Sequence, residues 1–423
     1  MSLGLRVTCP DVTAIDGNRL LDGLRMLRTF GAQGTGVVRP TFSNDDMAAR
    51  RWLQARMVGA GLDAAIDGVG NVYGRSRNPG PALVLGSHAD TQPTGGWLDG
   101  AMGVMDAIEV AHALGDDPAT AGLAIDVAAW SDEEGTYASC LGAKAFVGEI
   151  NDELLGRRNA DGESVAEAIE RVGLTGLPLA RLDPERHVGY LEAHIEQGPY
   201  LDEGKHRIGV VSSIVGIRGA IVTFRGEQNH AGTTPMARRK DAAVAMFRFG
   251  ALLQDRMAAS AGPTSVWTIG RVSVEPGAAS IVPGFAEVAV QFRDQSEEVL
   301  ERMLETVLET ADEIGRTTAV RVTASVDEAP IAPTQMDPHL MSHLTAAAEH
   351  CSSGSWVEMP SAAGHDPMVL AHHLPCAMVF IPSIGGVSHD FAEDSHDDDI
   401  VLGCQVLADA ATSILLAEDQ GHR

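Results

Sequence analysis

Cysteine is scarce in this chain, and its few cysteines are not placed as pairs. The 423 residues include five cysteines, an odd number with no Cys-x-x-Cys spacing. They are Cys9, Cys140, Cys351, Cys376 and Cys404. A disulfide framework or a thiolate metal site needs paired, closely spaced cysteines, so the sequence indicates neither. A reducing compartment, the cytoplasm, is the expected location.

Positive charge is also in short supply, as are long apolar runs. Lys and Arg number 31 against 58 Asp and Glu, so the net charge is −27. Such a charge repels nucleic acid and anionic membranes, and neither is expected as a partner. The stretch MSLGLRVTCP lacks the basic and apolar regions of a secretory leader, and no run is expected to reach membrane-spanning length. An anionic substrate would therefore need a positively charged side chain at its binding site, because the protein as a whole is negatively charged.

Aromatic residues make up only 4% of the chain, whereas glycine occurs 46 times, so the core is expected to contain layers of small side chains. Four apolar runs are typical of buried strands: ALVLGSHAD, GLAIDVAAWSDEE, HVGYLEAHIEQG and PCAMVFIPSIGGVSHD. Helical stretches lie before and between them, including SNDDMAARRWLQARMVGAGL with Ser43 as its N-cap. This alternation predicts an α/β fold with a mostly parallel sheet that is covered on both faces.

The segment 212–329 has a different order of predicted strands and helices. Its order is strand, helix, strand, strand, helix, strand: IRGAIVTFRG, PMARRKDAAVAMFRFGALLQDRM, SVWTIGRVSV, SIVPGFAEVAVQFRD, EEVLERMLETVLETADEIG and AVRVTASVDE. That order is the split βαβ pattern of ferredoxin-like α+β domains. The sequence therefore predicts a larger α/β domain in two parts, residues 1–211 and 330–423, with a small α+β domain, residues 212–329, inserted between them.

Histidines and carboxylates follow the four apolar runs and also occur on the Gly-rich loop TGGWLDGAMG. They are His88, Asp90, Asp99, Glu133, Glu134, His194, Glu196 and His389. Ligand sites of open α/β sheets lie outside the carboxyl ends of the strands, and such donors suit zinc or another divalent first-row ion. Any one of these residues alone is more often an ordinary polar group, and adjacent glutamates also occur at helix starts. Their coincidence at the strand ends favours a metal site.

Six stretches in chain order carry a family resemblance: GSHADTQPTGGWLDGAMGV, WSDEEG, LEAHIEQGPYLDEG, HAGTTPMARRKDA, AGHDPMVLA and FIPSIGGVSHDFAE. Together they resemble the hydantoinase/carbamoylase family, which includes N-carbamoyl-L-amino acid amidohydrolases, allantoate amidohydrolases and β-ureidopropionases of the same type. The family belongs to the dinuclear zinc aminoacylase and carboxypeptidase clan, and the resemblance extends over nearly the whole chain. It implies a metallo-aminopeptidase-like catalytic domain whose inserted domain serves as a lid and in dimerisation.

The resemblance implies two divalent metal ions per subunit, zinc with manganese, cobalt or nickel as alternatives. The implied ligands are His88, Asp99, Glu134, His194 and His389. Asp99 would bridge the two ions, and the carboxylate of Asp90 would orient His88. Glu133 would be the general base.

Substrate contacts are implied in the same way. Arg293 in QFRD would hold the substrate carboxylate, and His230 would stabilise the developing oxyanion from the neighbouring subunit of a homodimer. From the residues alone, Arg293 could be a solvated charge, and His230 a turn residue that caps AGTTP. Further implied pocket residues are Gln197, Ser280, Gly364 and His365. The stretch AGHD could equally start a helix, with Asp366 near its first turn.

Several positions depart from the family pattern. They are Tyr137, Ala138, Ile217, Ser280 and Gln291, where members usually carry Arg, Phe, Gln (in allantoate amidohydrolases), Asn and an acid. These departures leave the implied ligands and base intact. The smaller Ser280 and the apolar Ile217 favour a substrate less polar than allantoate.

The expected activity is metal-dependent hydrolysis of the C–N amide bond of a small N-carbamoyl (ureido) amino acid, releasing the amino acid, ammonia and CO2. An N-acyl-amino-acid amidohydrolase or dipeptidase, and an allantoate amidohydrolase, are the alternatives. A non-catalytic binding protein is disfavoured, because it would need neither the full ligand set nor Glu133.

Overall fold

The computed structural model describes residues 13–326 and 330–421, without the side chains of 420 and 421. Cys9 and the predicted end of the insertion at residue 329 lie outside the described residues. The chain divides into two compact units, one formed by Met1–Ser212 with Gln335–Arg423 and the other by Ser213–Thr334. The roles expected for the two parts, catalysis for one and lid or dimerisation for the other, stay predictions.

The helices and strands are named here in chain order. The α-helices are α1 (Gly17–Arg28), α2 (Asn44–Gly59), α3 (Ala101–Asp116), α4 (Leu141–Val147), α5 (Asp152–Leu155), α6 (Val165–Arg171), α7 (Tyr200–Gly204), α8 (Ala242–Ser260), α9 (Glu297–Thr317), α10 (Pro338–Ser352), α11 (Pro367–Leu370) and α12 (Asp397–Gly421). The strands are β1 (Ala32–Gln33), β2 (Gly36–Val37), β3 (Asp63–Ile66), β4 (Val72–Arg75), β5 (Ala82–His88), β6 (Ala124–Trp130), β7 (His187–Ile195), β8 (Ile208–Ile214), β9 (Gly216–Arg225), β10 (Asn229–His230), β11 (Val266–Glu275), β12 (Ile281–Val282), β13 (Phe285–Asp294), β14 (Arg321–Val326), β15 (Thr334–Gln335), β16 (Trp356–Ser361) and β17 (Cys376–Ile381).

The main sheet runs in the order β15-β8-β17-β7-β5-β6-β4-β3, with β16 paired to β8. Its four central strands, β17, β7, β5 and β6, are the four apolar runs of the sequence, and they are parallel to one another. Strands β8, β4 and β3 pair antiparallel on either side of them. Because the central strands point the same way, their carboxyl ends meet at one edge of the sheet.

Both faces of the central strands are buried, because protein packs against each side of the sheet. Leu83 and Leu85 of β5 pack into a core that also holds α3, α10 and α12, whereas Val84 between them packs with Phe146 of α4 and Leu370 of α11. Successive side chains of a strand point to opposite faces, so every residue of such a strand must be apolar or paired. The predicted fold class, α/β with an inserted α+β domain, is confirmed.

The second unit has its own sheet, in the antiparallel order β11-β13-β9-β14, with α8 and α9 on one face. Helix α9 begins after Ser296, which accepts the N–H of Val299, and it buries an apolar stripe at spacings of three and four residues. Leu300, Met303 and Val307 belong to that stripe, and they pack with residues of β9 and β13 in a core confined to this unit.

Two sequence-based expectations were wrong in detail. The helix expected from Pro235 begins only at Ala242, because Asp241 caps it and Met236–Arg238 forms a separate 3-10 turn. A helix of membrane-spanning length and composition does occur, since Asp397–Asp419 of α12 is long and apolar enough to cross a membrane, although most of it is buried within the protein. Its apolar residues face the core of the first unit, as in a helix surrounded by protein on most sides.

Asp106 of α3 gives a testable pH dependence of stability. Its carboxyl group is buried, and neither oxygen has a hydrogen-bond partner in the part of the chain that the structure describes. Burial raises the pKa of Asp106 well above its ordinary value, the Cys404 thiol offsetting this only in part and the charge of Glu109 adding to it. The folded chain therefore keeps a proton that the unfolded chain loses above about pH 4, and stability falls by up to about 1.4 kcal/mol per pH unit from there until the pH reaches the raised pKa of the folded chain.

Asp106→Asn removes this titration. We expect the substitution to increase the free energy of unfolding more at pH 8 than at pH 5, by up to about 1.4 kcal/mol for each pH unit over which the parent loses stability, measured by urea denaturation. Asp22→Asn, on the exposed side of α1, is the control and should show no such difference. An equal effect of Asp106→Asn at both pH values would mean that the carboxyl group is ionised in the folded chain.

Candidate metal centre

The carboxyl edge of the four parallel strands collects the residues that the sequence singled out there. His88 ends β5, Glu133 and Glu134 follow β6, and His194 is the penultimate residue of β7. His389 follows β17 in a loop, and its backbone adopts a left-handed φ of 53°. All of these residues belong to the first unit.

Asp99 lies at the middle of this group, on the loop before α3. Its Oδ1 atom is 3.1 Å from His194 Nε2 and 3.6 Å from His88 Nε2. Its Oδ2 atom is 3.2 Å from His389 Nε2, which is itself 3.8 Å from Glu134 Oε2. The two oxygens of one carboxylate thus face two different sets of donors.

Those two sets have the spacing of metal-ligand groups. One comprises His88, Asp99 and His194, the other Asp99, Glu134 and His389, and within each the candidate ligand atoms lie within 4.8 Å of one another. Imidazole nitrogens with carboxylate oxygens are donors that zinc and other first-row divalent ions accept. A third group with the same spacing shares His194 with the first set and consists of Glu192, His194 and His365.

Main-chain carbonyl groups orient the two buried histidines. His88 Nδ1 is 3.1 Å from the carbonyl oxygen of Asp90, and His194 Nδ1 is 2.8 Å from that of Ile195. A carbonyl oxygen can only accept a hydrogen bond, so each Nδ1 carries a proton, and in the neutral ring each Nε2 then has a free lone pair. The Gly100 N–H donates to His194 Nε2 at 3.2 Å, in agreement with this tautomer. Both Nε2 atoms therefore face Asp99.

The carboxylate of Asp90 plays a different part from the one expected. It was expected to orient His88, but its Oδ1 atom is 3.7 Å from His88 Nδ1, beyond hydrogen-bond distance. The main-chain oxygen of the same residue makes that hydrogen bond instead. Asp90 Oδ2 accepts the N–H of Glu134 at 3.3 Å, so this buried carboxylate supports the Glu134 loop.

The two adjacent glutamates point to different neighbours. Glu133 Oε2 lies 3.7 Å from His88 Nε2, and Glu133 is not a member of any of the three candidate ligand groups. Glu134 Oε2 faces His389 and accepts a hydrogen bond of 2.6 Å from the side-chain amide of Gln92. The glutamate pair therefore divides into one carboxylate among the ligand donors and one beside them.

Burial and mutual charge shift the pKa values of these groups. Burial raises the pKa of Glu133 well above its ordinary value and that of Glu134 to about 7, with His88 opposing both shifts. Burial would lower the pKa of His88, but the carboxylates around it outweigh burial and raise it. The pKa of Asp99 is lowered despite burial, because the surrounding histidines His194, His389 and His88 favour its ionised form. The centre is thus a compact arrangement of opposite charges.

Glu393 was not singled out from the sequence, although it holds the Asp99 loop in place. Its Oε1 atom accepts the N–H groups of Leu98 and Asp99 at 3.2 and 3.1 Å, and its Oε2 atom accepts the Ser388 hydroxyl at 2.8 Å. A Cβ at Gly96 would collide with this carboxylate. Glu393 thereby ties the loop of Asp99 to the loop of His389. In the sequence it is one acid among several in HDFAED, which gives no signal of this role.

Of the implied pocket residues in this unit, Gln197 and His365 contact the centre. The amide nitrogen of Gln197 donates to Asp99 Oδ2 at 3.0 Å and to Ser388 Oγ at 3.2 Å. His365 is buried with its ring centroid 4.5 Å from that of His194. Gly364 precedes it, and the stretch is also a helix start, since Asp366 is the N-cap of α11 without a side-chain capping bond.

Glu196 does not join the candidate ligands. Its carboxylate accepts the N–H groups of Tyr200 and Leu201 at 2.8 and 2.7 Å, at the start of α7. The sequence grouped Glu196 with the other strand-end donors, but two backbone N–H groups already occupy its carboxylate.

The other implied substrate contacts lie in the second unit. His230 is exposed, and its Nδ1 atom accepts the N–H groups of Gly232 and Thr233 at 3.0 and 3.1 Å, which places its own hydrogen on Nε2. The N–H of the next residue, Ala231, donates to the carbonyl of Ser280. This unit therefore has an exposed imidazole N–H at His230, while the main chain of the next residue bonds to that of Ser280.

Arg293 lies on β13, on the face of the sheet opposite the buried Val290 and Phe292. Its guanidinium donates to Gln291 Oε1 at 3.4 Å, and its register partner on β9 is Ile217. Two of the positions that depart from the family pattern are thus the immediate neighbours of Arg293.

Comparison with known proteins places the chain among hydrolases. A family model described as peptidase family M20/M25/M40 matches residues 84–413. The chain is 33% identical over 405 residues to an N-carbamoyl-L-amino acid amidohydrolase of Geobacillus stearothermophilus, covering 93% of this chain and 97% of that protein. It is 34% identical over 397 residues to an allantoate amidohydrolase of Escherichia coli (strain K12), covering 91% and 95%.

A solved structure is similar over the whole length. An amidase of the hydantoinase/carbamoylase family from Burkholderia phymatum has a TM-score of 0.92 and 48% identity, covering 97% of this chain and 100% of that one. The predicted enzyme class, a metal-dependent hydrolase of carbon–nitrogen bonds other than peptide bonds, is confirmed by these similarities. The chain belongs to the peptidase M20/M25/M40 family and, within it, to the hydantoinase/carbamoylase amidases.

Proposed function

We propose that this enzyme hydrolyses the C–N amide bond of a small N-carbamoyl amino acid, releasing the amino acid, ammonia and CO2. The observation that carries the proposal is the placement of Asp99, whose two carboxylate oxygens face separate sets of histidine and carboxylate donors. The names of the relatives from Geobacillus stearothermophilus and Escherichia coli support a ureido substrate.

The residues present fit two divalent ions. His88 and His194 would hold one ion with Asp99 Oδ1, and Glu134 and His389 would hold the other with Asp99 Oδ2. The fixed tautomers of His88 and His194 supply lone pairs in the direction such ions need. When bound, a pair of divalent ions polarises an amide carbonyl and lowers the pKa of water. We propose zinc, with manganese, cobalt or nickel as alternatives.

Glu133 is the proposed general base. It lies beside the ligand donors without belonging to them, so its carboxylate is available for proton transfer. In this role it accepts a proton from the attacking water and delivers it to the departing nitrogen. Burial of its carboxyl group makes it a stronger base, which suits this task.

Two groups of the second unit complete the proposal for substrate binding. Arg293 would hold the substrate carboxylate, since a guanidinium matches a carboxylate at two points and supplies positive charge within a chain of net charge −27. His230 would donate its Nε2 hydrogen to the oxygen of the amide as negative charge develops there. We further propose that the enzyme is a cytoplasmic homodimer, in which His230 serves the site of the neighbouring chain.

A substrate panel with a metal-depleted control tests the proposed function. Dialysis against a chelator should abolish hydrolysis, and zinc, manganese, cobalt or nickel should restore it, with metal content followed by elemental analysis. The intact enzyme should release ammonia from N-carbamoyl amino acids faster than it releases amines from N-acetyl amino acids or dipeptides. Full activity of the metal-free protein, or faster cleavage of the N-acetyl substrates, would overturn the proposal. Allantoate in the same panel tests the remaining alternative.

A further inference from the structure

A cavity of about 680 Å³ opens beside the metal centre, within the first unit. Ligand cavities in proteins usually measure about 300–1,000 Å³, so this one has room for a substituent much larger than a methyl group. Four segments line it: the loop before α2, the loop after β5, the loop after β6, and the segment 159–171 that includes α6. None of the residues assigned to substrate binding above lines it.

The cavity is continuous with the candidate ligands. Glu134 lines it, and the same carboxylate lies 3.8 Å from His389 and accepts the hydrogen bond of Gln92, another lining residue. A molecule held at the metal centre therefore has this cavity next to it, on the side of Glu134.

The positive charge that lines the cavity is already paired with a carboxylate. Arg171 is the basic residue of the lining, and it donates to both oxygens of Glu163 at 2.6 and 2.9 Å and to the carbonyl of Phe42 at 3.2 Å. Tyr137 donates its hydroxyl to Glu163 at 2.6 Å as well. These hydrogen bonds lower the pKa of Glu163 to about 2, so the pair stays ionised and cancels its own charge. The remaining charged lining residues, Glu134 and Asp161, are acidic.

The rest of the wall is uncharged and partly apolar. Pro40, Phe42 and Pro93 contribute apolar surface, and the ring of Tyr137 packs against Phe42 at a centroid distance of 5.7 Å. We infer that this cavity receives the amino-acid side chain of the ureido substrate and selects bulky uncharged side chains over acidic ones. The inference rests on the proposed function. Tyr137 stands where family members usually carry Arg, so this wall also differs from the family pattern in charge.

Filling the cavity provides the first test. Ala160 lines it from an exposed loop, and Ala160→Trp should occupy part of its volume without disturbing the core. We expect kcat/KM for N-carbamoylphenylalanine to fall at least about tenfold, while that for N-carbamoylglycine, which has no side chain, is unchanged. Ala166→Trp, at an exposed position of α6 outside the lining, is the matched control and should alter neither substrate.

Removing the carboxylate that neutralises Arg171 provides the second test. Glu163→Gln keeps hydrogen-bonding groups in place but leaves the guanidinium without its counter-charge. The ratio of kcat/KM for N-carbamoylaspartate to that for N-carbamoylphenylalanine should rise about tenfold relative to the parent. Glu167→Gln, which removes an exposed acid of α6, the helix that carries Arg171, should leave the ratio unchanged.

The outcomes separate this inference from the proposed function. A parent enzyme that hydrolyses no ureido acid, including N-carbamoylglycine, removes the proposed function and the inference with it. A parent that is active but prefers the aspartate derivative overturns the cavity assignment alone. The same holds if Ala160→Trp slows both substrates equally, or if Glu163→Gln leaves the selectivity ratio at the parental value.

Discussion

Replacement of Glu133 by Gln should lower kcat by about 10²–10⁴-fold while the metal content stays at the parental level. The amide keeps the size of the side chain but cannot accept the proton of water. Glu133 is absent from all three candidate ligand groups, so its loss should not release metal. Steady-state kinetics and elemental analysis on the same preparation measure the two effects.

Glu134→Gln is the matched comparison, since the two residues are adjacent and the change is identical. Glu134 lies among the donors with Asp99 and His389, so this variant should retain about half the metal of the parent because one of two proposed ions loses a carboxylate ligand. Equal loss of metal from both variants would show that the proposed division of roles between the two glutamates is wrong.

Mixing two inactive variants should restore activity if the active site is shared between chains. Glu133→Ala and His230→Ala should each be nearly inactive as homodimers. After subunit exchange, a mixed dimer has one site with both substitutions and one site with neither. With equal amounts and random pairing, half the dimers are mixed, so about a quarter of the parental activity should return.

The control for this experiment is a second mixture, of Glu133→Ala with Glu134→Ala. Both substitutions lie in the first unit of the chain, so mixed dimers gain no intact site and activity should stay near zero. Exchange is verified by mass spectrometry of chains with different isotopic labels. If the mixture with His230→Ala also stays inactive after verified exchange, His230 serves its own chain or has no part in the reaction.

The position of the site could be predicted from the sequence because parallel strands bring their carboxyl ends together. His88, His194 and His389 each follow or end an apolar run, and a rule about sheet edges suffices to place them near one another. Asp99 could be assigned to the same site because it lies on a glycine-rich loop close to these strands in sequence. The structure explains one of these glycines, since a Cβ at Gly100 would collide with the His88 ring.

Other features depend on contacts that a linear pattern does not contain. Glu196 and His194 look alike at the end of one strand, yet backbone N–H groups of α7 occupy the carboxylate of Glu196. Glu393 acts through three hydrogen bonds to loops nearly 300 residues apart in sequence. The left-handed backbone conformation of Gln197 and His389 could not be predicted from the sequence either, since neither residue type requires it. Tertiary partners decide each of these.

The division of the chain into a discontinuous and a continuous unit has a consequence for the order of folding. The second unit draws its sheet and its core from Ser213–Thr334 alone, so it can form as soon as that segment leaves the ribosome. The first unit must wait for β17 and α12, which pack against β7 and α3 from far along the chain. Closing so long a loop carries an entropic penalty, which an already folded and compact insert reduces by bringing the ends of the loop together. The candidate metal centre, which includes His389 from beyond the insert, should therefore be completed last during synthesis.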